Sequence, residues 1–135
     1  MGWEAVSRSA RLRAAAAFVA IAAAAPLLAA GRPSLNAYFQ STLKDAAYQK
    51  KTFDRVAAKW KAPAQVPAVG KKTVVQARIA KDGKLISTEV SMSSGVKAWD
   101  AAAEAAVKAA APFDPLPADY KFPALEVHFH VSVVP

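Results

Sequence analysis

The chain contains no cysteine, which excludes disulfides, thiolate nucleophiles, cysteine-ligated metals and lipidation at cysteine. Only two histidines are present, His128 and His130, and the five glycines nowhere form a phosphate-cradling loop, Gly83 and Gly95 standing alone. The paired arginines of a twin-arginine signal are missing. No internal repeat or low-complexity linker is visible, and 135 residues leave room for one domain. Acidic residues are few, ten against eighteen lysines and arginines, for a net charge of +8. The basic excess gathers in Lys44, Lys50, Lys51, Arg55, Lys59, Lys61, Lys71 and Lys72. No aromatic residues interleave with those lysines as base stacking requires, so nucleic acid is not an expected partner and a solvated helix face is the plainer reading.

What is present begins with the N-terminus. Arg8, Arg11 and Arg13 precede an uncharged run from Ala14 to Ala30, followed by Gly31-Arg32-Pro33. A basic stretch, a short apolar stretch and small residues at its end describe a secretory signal peptide over residues 1–30, with cleavage after Ala30. The alternative is a retained inner-membrane anchor, for which a short, alanine-dominated run is only weakly apolar.

Residues 31–47 read as a short helical lead-in: Leu35, Phe39 and Leu43 recur at four-residue spacing, with Ser34 as N-cap after Pro33. The helical pattern resumes with Phe53, Val56, Ala57 and Trp60 and ends at Ala62-Pro63. Two strands follow. Val75, Ala77 and Ile79 form one apolar row, and Ile86, Thr88, Val90 and Met92 the next, joined by a Lys81-Asp82-Gly83-Lys84 hairpin turn. Ser93-Ser94-Gly95 ends the second strand. A helix over about Lys97 to Ala110 then places Trp99, Ala102, Ala103, Ala106, Val107 and Ala110 on one face, and Pro112, Pro115 and Pro117 stop it. The last strand alternates strictly: Leu125, Val127, Phe129, Val131 and Val133 against Glu126, His128, His130 and Ser132. The expected fold is α+β, a three-stranded antiparallel sheet with helices packed on one face, preceded by an N-terminal helix.

The run Val74–Ile79, Asp82-Gly83-Lys84-Leu85, Val90, Ser93-Ser94-Gly95, Trp99-Asp100, Ala102-Ala103, Ala106-Val107, Ala110, Pro112-Phe113 and Leu116-Pro117 resembles the C-terminal domain of the TonB/TolA family. The helix Tyr48–Trp60 followed by Pro63 looks more like the TolA branch, and the resemblance takes in residues 48–135 as one domain. It implies a non-enzymatic periplasmic module, without cofactor, that binds an outer-membrane receptor or another envelope protein by strand addition. Carried over by position, the last strand lies at the sheet edge, and the protein-binding residues are Leu125, Glu126, Val127, His128, Phe129, His130 and Val131. An exposed edge offers unpaired backbone groups to an extended segment, while alternating side chains select its sequence. Pairing with a second copy is the alternative use of that edge. Full-length transducers of the family carry a long spacer. Here residues 31–47 span about 25 Å as a helix at 1.5 Å per residue, so a short binding module is expected rather than an energy transducer. An accessory subunit anchored in the inner membrane is the other form this could take.

Other chemistry is thin. Glu126, His128 and His130 project from one strand face and could supply ligands to zinc or copper, which would make the chain a periplasmic metal-binding protein; solvated strand-face histidines are the simpler reading. Ser93 and Ser94 lack a nucleophile elbow and read as a turn. Asp100 and Glu104 fit a helix start better than paired acid–base work.

Overall fold

The structure, a computed structural model, describes residues 10–12, 18–21 and 31–135. Its elements are β1 (Ala10–Leu12), β2 (Phe18–Ile21), β3 (Arg32–Phe39), α1 (Ala46–Lys59), β4 (Lys72–Ala80), β5 (Leu85–Met92), α2 (Lys97–Ala110) and β6 (Ala124–Val134). The strands form one sheet in the order β1-β2-β3-β6-β4-β5, with every neighbouring pair antiparallel. The fold is thus α+β with two helices, but residues 31–135 contribute four strands where three are expected from the sequence. The additional one is β3, in the segment read as a helical lead-in. Leu35 and Phe39 are four residues apart, an even spacing that suits a strand as well as a helix. Pro33, Leu35 and Ala37 are buried beside the core-facing row of β6, and that period of two decides the matter. The helix starts only at Ala46, where the Asp45 side chain caps Tyr48 N at 2.9 Å. The signal or anchor expected in residues 1–30 lies, apart from the two short strands, outside the described residues. No described helix is long and apolar enough to cross a membrane.

The core lies between one sheet face and the two helices. β6 supplies Leu125, Val127, Phe129, Val131 and Val133, all buried, and β4 supplies Thr73, Val75, Ala77 and Ile79. Against this row α2 lays Trp99, Ala103, Ala106, Val107 and Ala110. The alanines let the helix sit close to the sheet, and Trp99 fills the space at its start while its Nε1 donates to the Val131 carbonyl at 3.1 Å. α1 buries Tyr48, Thr52, Phe53 and Val56, and the Trp60 ring that follows it meets Trp99 edge-on at 4.9 Å. β5 departs from the alternation expected of it. Its register with β4 shifts between Val74 and Val75 and again between Arg78 and Ile79, leaving Ser91 and Ile86 as extra residues. Thr88 and Val90 stay half-buried beside the core, whereas Ile86 and Met92 are about half exposed, at 54% and 50%.

Two loop motifs acquire a structural purpose. Asp100, on the first turn of α2, accepts from Ser94 N and Ser94 Oγ, each at 2.9 Å, from Thr73 Oγ1 at 2.5 Å and from Ser93 Oγ. The Ser-Ser-Gly junction is therefore tied to α2 and β4 through one carboxylate, with Gly95 taking a φ of +91° to reverse the chain. Burial raises the pKa of that carboxyl, but the hydrogen bonds from Ser93, Thr73 and Ser94 outweigh it and hold the group below its ordinary value. The second motif is the hairpin tip. Phe113 N donates to the Gly83 carbonyl at 2.8 Å and Leu116 N to that of Lys81 at 2.9 Å, so the proline-rich loop docks on the β4–β5 turn. Gly83 has a φ of +95°, and a Cβ there would lie 2.1 Å from the Phe113 carbonyl oxygen.

Gly83→Ala is expected to destabilise the fold by at least about 2 kcal/mol, because it adds backbone strain to a clash with backbone atoms; thermal unfolding reads this. Asp100→Asn is expected to cost about 1–3 kcal/mol at neutral pH through weakened hydrogen bonds to buried groups. Because the native pKa of Asp100 is lowered, its advantage is complete above the unfolded value near 4 and fades as the pH falls through the native one. Denaturant unfolding of both forms from pH 7 to pH 2 should show the gap closing.

Candidate functional site

Of the seven residues expected to bind partners, Leu125, Val127, Phe129 and Val131 lie in the core, and Glu126, His128 and His130 stand on the opposite sheet face. The last strand is not an edge. On one side β6 pairs with β4 over nine positions, from Ala124 opposite Ala80 to Ser132 opposite Lys72. On the other it pairs with β3 over eight, from Val127 opposite Phe39 to Val134 opposite Arg32. This corrects the edge position inferred from the resemblance. The physical reason is that β3 carries the apolar alternation that satisfies the flank of β6 left open by β4.

The β3–β6 seam is closed at both ends. Gln40 N donates to the Glu126 carbonyl at 3.2 Å, and the Gln40 Oε1 accepts from Glu126 N at 2.7 Å and from Tyr120 Oη at 3.0 Å. At the far end Gly31 lies so close to Val133, Val134 and Val69 that a Cβ would stand 2.3 Å from a Val133 methyl. Between these ends the register runs without a shift. The two flanks of the β6-β4-β5 block thus differ. The β5 edge is blunted by two extra residues within one strand, a device that discourages edge pairing, whereas the β6 flank is a straight ladder that already accepts an extended segment.

On the open face, Glu126 Oε2 lies 2.6 Å from His128 Nε2, and Gln76 Nε2 lies 3.0 Å from each of those atoms. The hydrogen bond from His128 lowers the Glu126 pKa. His130 packs against the Tyr38 ring with centroids 4.6 Å apart, which joins β6 to β3 on this face. Burial first, then the charge of Lys72 and the neighbouring His128, lowers the His130 pKa. Among the described residues no group of three or more His, Cys, Asp or Glu side chains is placed to hold a metal ion. The two histidines are engaged separately, His128 with Glu126 and Gln76, His130 with Tyr38. A shallow cleft of about 340 Å³ lies between the start of α1 and the proline-rich loop, lined by Asp45, Ala47, Tyr48, Lys51, Asp114, Pro115 and Pro117. Lys51 and Arg55 there reach Asp114 at 3.4 and 3.3 Å, consistent with a basic helix face that is partly neutralised by its own neighbours. Sequence reasoning missed β3 as part of the site, and the signal that could have found it was the Pro33-x-Leu35-x-Ala37-x-Phe39 row.

A family model described as TonB C terminal matches residues 45–131, well over half of the chain. No curated protein matches the chain, and no solved structure does. The matched span holds α1, β4, β5, α2 and most of β6, and leaves β3 outside it.

A base whose native pKa is lowered stabilises the fold fully above its unfolded pKa and loses that contribution as the pH falls. Stability is therefore expected to decline on acidification from about pH 6.5 toward the lower native pKa of His130. His130→Gln should flatten that part of the profile, read by denaturant unfolding at pH 7.5, 6 and 5.

Proposed function

The chain belongs to the TonB C-terminal family, and on that premise we propose that it is a protein-interaction module of the cell envelope that takes up an extended partner segment beside β6. That family is one of non-enzymatic interaction domains. The observation that carries the reading is the division of the sheet. Within the matched residues the strand order is β6-β4-β5, so the family domain by itself leaves β6 on the outside. The segment that fills this flank, β3, comes from outside the match and is held by a regular antiparallel ladder. The flank is thus built to receive an extended chain, and strand addition is the use that such a flank supports best. In this reading Leu125–Val131 provide the backbone edge, and Glu126, His128 and His130 provide the side chains that a partner meets on the open face. The partners are outer-membrane receptors or other periplasmic proteins, the location is the periplasm, and residues 1–30 serve as the export signal. The helix α1 ending before Trp60 and Pro63 supports a place nearer the TolA branch.

A photo-crosslinking side chain in place of His128 should capture envelope proteins in intact cells, whereas the same group in place of Lys50, on the exposed face of α1, should not. Capture from the Lys50 position with none from the His128 position would place the interaction elsewhere.

A further inference from the structure

Resting on that reading of β6, we infer that β3 is a resident stand-in for the partner strand, so that the partner is an extended segment with the side-chain pattern of β3, uncharged at the positions of Pro33 to Phe39, and must displace β3 to bind. The register defines the pattern. On the core face Leu35 stands opposite Val131 and Ala37 opposite Phe129, a large side chain followed by a small one where the aromatic ring needs room. Both are buried, at 3% and 4%, so a charged residue at either position would be desolvated without a partner. On the open face Asn36 and Tyr38 stand opposite His130 and His128, and the Tyr38 ring covers His130. From Pro33 to Phe39 there is no charge at all, although the chain as a whole is rich in lysine and arginine.

The same residues show why β3 is the strand to exchange. It places one large aliphatic side chain fully in the core, Leu35, while Phe39 is only half-buried and Tyr38 is 51% exposed. Both helices, β4, β5 and β6 keep Trp99, Phe129, Ile79 and Val107 when it leaves. The short strands β1 and β2 lie within the segment proposed as the export signal and pair onto β3, not onto β6, so their loss leaves the β6 flank as it is. An occupied flank reduces the apparent affinity for any competitor by the fraction of molecules in which it is open. Binding is therefore a strand-for-strand competition, and a partner that matches the template better than β3 does wins.

The test uses the full chain and a fluorescent peptide with the sequence of residues 32–40. Wild type should bind it weakly. Gln40→Ala, which removes the clamp on Glu126 and Tyr120, and Leu35→Ser, which loosens the strand, should each bind at least tenfold more tightly. The chain has no cysteine, so Ser34→Cys with Ser132→Cys, opposite one another in the ladder, makes a lock within disulfide reach. The oxidised lock should bind no peptide, and reduction should restore wild-type binding. A peptide with Leu and Ala moved by one position, which turns them to the wrong face, should bind at least tenfold more weakly. Equal binding of the shifted peptide, or binding by the oxidised lock, overturns the inference. So does a loosened chain that gains no affinity, or that exchanges β3 with a second copy to give a stable dimer. None of these results touches the underlying reading of β6, which stands or falls with the crosslink from the His128 position.

Discussion

Strand β6 alternates without a break from Leu125 to Val133, with one face entirely in the core and backbone ladders on both flanks. Everything else is arranged around that constraint. The buried row continues on β4, and while α1 approaches the sheet on the β3 side, the alanine-rich α2 approaches it closely at β4. Because the Trp99 indole donates to the Val131 carbonyl, the helix is fixed to the strand by a directional bond as well as by packing. Asp100, one residue on, then ties the same helix to β4 and to the loop that leaves β5. The central strand, the helix and the hairpin form one unit.

Much of this unit is legible in the sequence because local and global signals agree. The hairpin tip, the Ser-Ser-Gly junction, the extent of α2 and the alternation of β6 each follow from turn chemistry or periodicity that tertiary contacts do not override. What was not legible has specific causes. The spacing of Leu35 and Phe39 fits a strand and a helix equally, and only the partner row on β6 decides between them. Ile86 and Met92 look like inward residues of a regular strand, and the two register shifts that turn them out leave no mark in the alternation itself. The last strand, expected at the sheet edge, is paired on both flanks. The edge position of Leu125–Val131 follows from the resemblance alone, and β3, in a segment whose spacing also fits a helix, covers that flank.

The paired flank of β6 is also where the proposed function rests. In the proposed function, a family domain whose outer strand is already paired by a segment beyond its own limits holds its binding flank in the occupied form. In that proposal β3, uncharged from Pro33 to Phe39, is the template for what the flank accepts, an antiparallel strand with a small residue against Phe129. On the open face the contacts among Glu126, His128 and Gln76, with His130 against Tyr38, set a polar surface beside the seam, which on the same proposal gives selectivity. The β5 edge carries two extra residues, which discourage such pairing, so the two flanks of the β6-β4-β5 block are not equivalent.

Native-state amide hydrogen exchange on the full chain tests this division most directly, since it measures the opening of each strand separately. Exchange of the β3 amides, Ser34 to Phe39, through a local opening well below the free energy of β4 and the β4-facing amides of β6 is the expected result. Exchange of β3 only through global unfolding, at the same free energy as β4, would show that it is an integral strand and would contradict the account.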